Sequence, residues 1–199
     1  MRCRLPRDRI PMRPIELSEI LDIARYEAER ESLRPAMIAL KNRRRIGVGP
    51  RLTFLFENRE TVRYQIQEMM RVERMVKPAD IAHEVKTYNE LIPAPGELSA
   101  TLFIEYESPL ERDVELRRLL DLDRHIRLEA GGRRAPAVFD GRQIGEVRLS
   151  AVQYVKFRLT PAQMEAWSHG AKIVIDHLYY QAERPLTEAE LGELSADFE

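Results

Sequence analysis

The sequence contains a single cysteine, Cys3, among its 199 residues. One cysteine excludes an intrachain disulfide and any iron–sulfur or zinc site that needs several cysteines from this chain. No apolar run approaches the roughly 20 residues of a membrane span, and residues 1–11 lack the apolar centre of a secretory signal. We therefore expect a soluble cytoplasmic protein that does not associate with membranes.

The sequence also lacks an excess of either charge, since 32 basic residues face 33 acidic ones and the formal net charge is −1. The averaged electrostatic field therefore neither attracts nucleic acid strongly nor repels it, and a nucleic-acid site would have to be a local patch. Motifs for nucleophilic catalysis and phosphate binding are missing. No histidine has metal-ligand spacing, although distant ligands can still converge; the histidines are His83, His125, His169 and His177. We expect no metal and no cofactor.

Two periodicities of apolar residues divide the chain. Between residues 12 and 92 they recur at helical spacing, with one short strand at 51–56 and with Pro35 expected to kink the chain or start a second helix. From residue 97 onward they alternate, as in Leu98, Ala100 and Leu102. This pattern predicts an α+β fold in which a helical N-terminal half packs on a mostly antiparallel β-sheet formed mainly by the C-terminal half.

The length favours one domain over residues 12–199. We expect 12–92 to be mainly helical with one strand, and 97–199 to be mainly antiparallel sheet with short helices, including single strands at 147–159 and 172–180. Thr160 with Gln163, and Thr187 with Glu190, have the spacing of capping boxes and predict helix starts. Met12 precedes the first such pattern, so residues 1–11 are expected to be a mobile tail or an upstream extension.

Polar residues gather where the 51–56 strand runs into the following helix. They suggest a polar pocket between this strand–helix unit, residues 51–73, and the strand at 97–105. The candidate ligand-binding residues are Arg45, Glu57, Asn58, Gln65, Glu68, Arg71, Glu97 and Thr101. Simpler interpretations stand beside this one, because Asn58 is a favourable helix cap and residues at three-residue spacing form ordinary surface pairs. Ser99 is interpreted as a solvent-facing serine on a strand.

The basic cluster at residues 41–45 allows three interpretations. At the C-terminal end of a helix it is favoured by the helix dipole and needs no ligand. Its arginines also suit an anion or phosphate. Nucleic acid is a weaker interpretation, because no RNA-binding surface or DNA-reading helix accompanies the cluster.

Several sequence blocks resemble a bacterial family of about two hundred residues that is known only as a domain of unknown function. They include Phe56-Glu-Asn-Arg59, Gln65-Ile-Gln-Glu-Met69, Pro95-Gly-Glu-Leu-Ser-Ala-Thr-Leu-Phe-Ile-Glu105 and Ser150-Ala-Val-Gln-Tyr-Val155. The resemblance extends from Met12 to near the C-terminus. It implies genes that lie beside those of rubrerythrin-like diiron proteins and iron–sulfur oxidoreductases, and hence a role in peroxide defence or electron transfer. It supplies no catalytic residue.

Three hypotheses of function follow. The first is an accessory or interaction protein that works with a rubrerythrin-like or iron–sulfur oxidoreductase partner. The second is an enzyme or small-anion binder that uses the polar pocket described above, with arginine binding the anion and a carboxylate acting as acid or base. The third is weak nucleic-acid binding through residues 41–45.

Overall fold

The computed structural model of the protein describes residues 12–198. Within this range the helices are α1 (Ile23–Arg43), α2 (Arg59–Glu73), α3 (Pro78–Asn89), α4 (Pro109–Arg118), α5 (Pro161–Glu165) and α6 (Glu188–Leu194). The strands are β1 (Arg45–Val48), β2 (Leu52–Glu57), β3 (Glu97–Ile104), β4 (Ile126–Ala130), β5 (Arg133–Phe139), β6 (Val152–Arg158), β7 (Ala171–His177) and β8 (Tyr180–Pro185). All strand pairs are antiparallel, in the order β1-β2-β3-β6-β5-β4-β7-β8. The α+β fold predicted from the sequence is confirmed.

The apolar side of the sheet forms the main core. Phe54, Phe56 and Phe157 are fully buried there, with ring centroids 6.3 Å apart in each pair. Inward residues from every strand join this cluster, together with Leu116 from α4 and Leu191 from α6. Strand alternation places the strand residues on one face of the sheet. Helices α4 and α6 pack on that face and add their apolar side chains to the same core.

The sheet curls until its two edge strands meet at Tyr180. The hydroxyl of Tyr180, on β8, donates to the carbonyl of Val48 on β1 at 2.7 Å and accepts from the amides of Arg51 and Leu52. Gly49 makes this approach possible, since its φ is +70° and an added Cβ would lie 2.5 Å from the Tyr180 oxygen. A single side chain thus joins the first strand to the last.

A helical layer covers the opposite face of the sheet. Val62, Ile66 and Met70 on α2 form a second apolar cluster with Val85 on α3. Helix α2 begins as the sequence predicts, because the Asn58 side chain accepts from the amide of Thr61 at 3.0 Å. The predicted capping boxes that start α5 and α6 are also confirmed. No helix in residues 12–198 combines the length and apolarity that a membrane crossing requires.

The N-terminal half contains two strands where the sequence analysis predicts one. Lys41 and Arg43 lie in the last turn of α1 as predicted, but residues 45–48 form β1 and pair with β2, so Arg45 belongs to a strand. Ile46 and Val48 are buried while Arg45 and Gly47 are exposed, which is strand alternation over only four residues. The basic residues before this short pattern favour a helix end, and the Gly-Pro turn after it favours a loop, so the sequence did not predict the strand.

Three other elements differ from their predicted bounds. Pro35 lies inside the continuous helix α1, at an exposed turn where water can reach the carbonyl that proline leaves unpaired. The 147–159 strand is shorter, since β6 begins at Val152. The 172–180 strand is two strands, because the chain turns at Leu178 and Tyr179 to form β8. Residues 1–11, predicted to be a tail or extension, lie outside the described residues.

Candidate functional site

Polar side chains occupy the sheet face beneath α2 and α3. The strand register fixes one row in which Glu57 pairs with Ser99 and Ser99 pairs with Lys156. A second row pairs Thr101 with Tyr154. Neighbours in such rows have Cβ atoms about 4.5–5.5 Å apart, so these groups form a continuous polar surface. Because the helices cover this surface, several of its groups are shielded from water.

Glu57 is a buried carboxylate, with 6% of its surface exposed. It accepts hydrogen bonds from the Thr101 hydroxyl at 2.7 Å and from the Thr61 hydroxyl. Within residues 12–198 it forms no ion pair, whereas a buried carboxylate ordinarily has a cationic partner. The Glu57 side chain therefore lies between the helical layer and the sheet on two neutral donors. Its field also reaches Lys41, where burial lowers the pKa and Glu57 partly opposes this change.

A cleft of about 590 Å³ opens between α3 and the outer face of β3, β6 and β5. Leu91, Val138 and Phe139 give it apolar walls. Ser99 lies at its floor, only 1% exposed, and the Ser99 hydroxyl has no hydrogen-bond partner within the described chain. An unpaired buried hydroxyl lowers the stability of the folded state by about 1–3 kcal/mol. The cleft therefore contains a hydroxyl group that a hydrogen-bonding ligand would stabilise.

Two tyrosines, Tyr88 on α3 and Tyr154 on β6, line the same cleft. Burial raises the pKa of Tyr154, and the charges of Glu57, Asp140 and Glu84 raise it further. Burial raises the pKa of Tyr88 too, although a hydrogen bond with Gln65 opposes this change. Both tyrosines are therefore neutral hydroxyls at physiological pH.

The cationic groups of the cleft are already bound to acidic side chains. Lys156 donates to Glu97 at 2.6 Å. Arg142, at the rim, forms ion pairs with Asp140 at 2.7 Å and with Glu90. Neither cation is free to hold an incoming anion, since each is neutralised locally.

The structure brings together only part of the set of candidate residues that the sequence predicts. Glu57 and Thr101 are in direct contact, and Asn58 follows Glu57 as the cap of α2. Glu97 lies at the start of β3 and pairs with Lys156. Gln65 reaches the region through its contact with Tyr88.

Glu68 and Arg71 lie elsewhere, between α1 and α2. Glu68 accepts from the Tyr26 hydroxyl at 2.6 Å and from the Arg30 guanidinium at 2.7 Å. Burial favours a higher pKa for Glu68, but hydrogen bonds from Arg30 and Tyr26 prevail and lower the pKa to about 2. Arg71 lies 3.4 Å from Glu68. This network joins two helices and contributes to packing rather than to the cleft.

The basic cluster at 41–45 is dispersed by the fold. Arg44 is buried and binds Asp197, which anchors the C-terminal segment. Arg43 pairs with Glu193, and Lys41 lies over the ring of Tyr64 at 5.2 Å. Arg45 is exposed, with its guanidinium 5.6 Å from the Phe103 ring centroid. These side chains form no common basic surface, so the geometry does not favour the anion and nucleic-acid interpretations of this segment.

Ser99, Tyr88 and Tyr154 are residues of the cleft that the sequence analysis did not select. Ser99 was interpreted as a solvent-facing serine, yet it is buried because α2 and α3 cover the outer face of β3. One signal was available, since the alternation that directs Leu98 and Ala100 inward also places Ser99 beside Thr101 on the other face. The local sequence does not show which face of β3 the helices cover.

Two distant histidines converge at the end of the sheet where β7 turns into β8. His177 contacts Asp121 at 2.8 Å through Nε2, and His125 lies with its ring centroid 5.1 Å away. The His177 Nδ1 accepts from the amide of Tyr179, so its proton is on Nε2, where it is donated to Asp121. No group of three ligating side chains in the described chain is arranged to hold a metal.

The fold and the cleft define a class: an α+β protein with a ligand-sized cleft between a helical layer and one face of an antiparallel sheet. The chain belongs to the family described as "Protein of unknown function (DUF3501)", whose profile matches residues 14–198. This match confirms the resemblance to a domain of unknown function.

The chain is closely similar to a protein whose crystal structure has been solved. The solved structure is that of a novel protein of unknown function from Burkholderia pseudomallei K96243, with a TM-score of 0.88 and 27% sequence identity. The match covers 94% of this chain and 100% of the Burkholderia chain. No curated protein matches the chain significantly.

Proposed function

We propose that this protein binds a small molecule in the cleft between α3 and the β3–β6–β5 face. The observation that carries the proposal is the Ser99 hydroxyl, which lies unpaired and 1% exposed at the cleft floor. The volume of about 590 Å³ is within the usual range for ligand sites, and apolar walls with a few polar groups are their usual lining.

The neutral solvent-sensitive dye Nile red provides a test that needs no knowledge of the natural ligand. Its emission is expected to rise and shift to the blue on binding. Val138→Trp places a large ring at the cleft mouth, where Val138 is 48% exposed and a substitution should leave folding intact. Binding by Val138→Trp is expected to be about tenfold weaker, which corresponds to about 1.4 kcal/mol.

Val147→Trp is the matched control, because Val147 is 63% exposed and lies outside the cleft. It should bind Nile red as the unmodified protein does. Equal binding by both variants, or no binding by the unmodified protein, would contradict the proposal.

A second candidate function is an accessory role beside an iron-containing redox protein. The family resemblance motivates the redox partner, and the surface of α1 supports a contact with it. Of the 21 residues in α1, Tyr26 alone is buried, while Leu33 and Ile38 are 41% and 43% exposed beside Arg34. An uncovered helix surface with exposed apolar and basic side chains is available to a partner surface with an acidic rim.

A pull-down from cell extract at physiological salt tests this role. The bound fraction should contain an identified diiron or iron–sulfur protein, with its iron confirmed by metal analysis, and Ile38→Glu should abolish its recovery. Val147→Glu is the control at another exposed valine and should retain the partner. Repeated recovery of no iron protein would count against this candidate.

A further inference from the structure

We propose that the ligand of the cleft is an organic cation: an aromatic or apolar body that carries one ammonium group. This inference rests on the small-molecule function proposed above and specifies its chemistry. It follows from the balance of charge, from the ring-bearing walls and from the unpaired hydroxyl at the floor.

The cationic side chains around the cleft have ion-pair partners, whereas some of the acidic side chains have none in the described residues. The cations Lys156 and Arg142 are engaged by Glu97, Asp140 and Glu90. Two acidic side chains near the cleft have no ion-pair partner in residues 12–198. Glu84 lines the cleft, and Glu57 lies next to Ser99 in the strand row. Lys41 lies in the field of Glu57 and offsets part of that charge, but Glu84 lines the cleft without an ion pair in the described residues. The field at the cleft is therefore negative, and it opposes the entry of an anion while favouring a cation.

Aromatic rings provide a second contribution of the same sign. Tyr88, Tyr154 and Phe139 all line the cleft. The faces of aromatic rings attract ammonium groups, and the attraction strengthens where water is excluded. An aromatic or apolar ligand body would also bury the apolar wall that Leu91 and Val138 leave open.

The Ser99 hydroxyl favours the same class of ligand, because its oxygen can accept a hydrogen bond from an ammonium N–H. A neutral ligand would also satisfy Ser99, but it would leave Glu84 without a counter-charge. An anion would satisfy neither carboxylate and would have to displace an existing ion pair to find a cation. Of the three classes, the organic cation alone matches the cleft lining formed by Glu84, the aromatic rings and Ser99.

Three probes of nearly the same shape separate the classes: 2-naphthylmethylamine is cationic at pH 7.5, 2-naphthamide is neutral and 2-naphthoate is anionic. Their dissociation constants are measured by equilibrium dialysis at about 0.15 M salt, where the Debye length is about 8 Å and distant charges are screened. The amine is expected to bind about tenfold more tightly than the amide. The naphthoate is expected to bind more weakly than either.

Glu84→Gln is expected to reduce amine binding severalfold and to leave amide binding unchanged. The control Glu188→Gln removes a charge from an exposed site on α6 and should change neither constant. Val138→Trp should weaken the binding of all three probes if they enter the cleft.

Several outcomes would overturn the cationic assignment. They are amide or naphthoate binding as tight as amine binding, amine binding that Glu84→Gln does not weaken, and binding of none of the probes. If Nile red still binds in a manner that Val138→Trp blocks, only the ligand class is wrong. If Nile red binding fails too, the small-molecule function is wrong.

Discussion

The two faces of one sheet have opposite chemistry, although the same strands build both. On β3, Leu98, Ala100 and Leu102 enter an apolar core, while Ser99 and Thr101 lie under the helices. The inner face forms a dense apolar cluster, whereas the outer face contains a buried carboxylate and an unpaired hydroxyl. Stability should therefore depend mainly on the inner face, and binding on the outer one.

Removing a ring from the inner face should have the largest effect on stability. Phe56→Ala is expected to lower the free energy of unfolding by about 3–5 kcal/mol, because it leaves a cavity beside Phe54 and Phe157. Urea denaturation measures the change. Val138→Ala, at a half-exposed position on the outer face, should change stability by less than about 0.5 kcal/mol. Similar losses in both variants would refute the contrast between the faces.

Tyr180→Phe tests how the inner side is closed. The substitution keeps the ring but removes the acceptor for the Arg51 and Leu52 amides and the donor to Val48. The expected loss of stability is about 1–3 kcal/mol, because buried backbone groups remain unpaired. Hydrogen exchange at the Leu52 amide should accelerate, and unchanged protection there would contradict this account of the closure.

Acid should affect the helical side through Glu68. Its pKa is about 2 in the folded protein against 4.5 for an ordinary glutamate, so its stabilising contribution is present above pH 4.5 and is lost as pH falls toward 2. Glu68→Gln is expected to cost about 1–2 kcal/mol at pH 7 and to weaken the acid dependence. Denaturation at several pH values checks this, with Glu188→Gln as a control that retains the full dependence.

Ser99→Ala should have the smallest effect on stability and a clear effect on binding. Removing the unpaired hydroxyl relieves its desolvation cost but also leaves a small cavity, and these two contributions oppose each other. The free energy of unfolding is therefore expected to change by less than about 0.5 kcal/mol. Nile red or 2-naphthylmethylamine binding should weaken severalfold. A large loss of stability with unchanged binding would show that Ser99 belongs to the packing and not to the site.

The sequence allowed the fold class to be predicted because alternation and capping are local properties. Asn58, Thr160 with Gln163, and Thr187 with Glu190 all cap the helices that they were expected to cap. The ends of the sheet were harder to predict. Strand β1 is four residues long and follows directly on a helix, while β8 is separated from β7 by a turn without glycine or proline.

The site was less predictable, since it depends on which faces meet. Glu57 and Thr101 are brought into contact by the β2–β3 register, which sequence proximity does not reveal. Glu68 and Arg71 follow Glu57 on the same polar stretch, but α1 covers them and engages them in a separate network. Tyr154 and Ser99 line a cleft only because the helical layer packs over this face of the sheet.

The curling of the sheet onto Tyr180 also limits how copies of this protein can aggregate. An exposed edge strand is a template for pairing with another chain, and a sheet of eight strands ordinarily has two such edges. Here β1 and β8 lie against each other, joined by a hydrogen bond between residues 132 positions apart in the chain. Loss of that hydroxyl contact would separate the two edges at Val48 and Tyr180, so the contact that completes the fold also covers part of both edge strands.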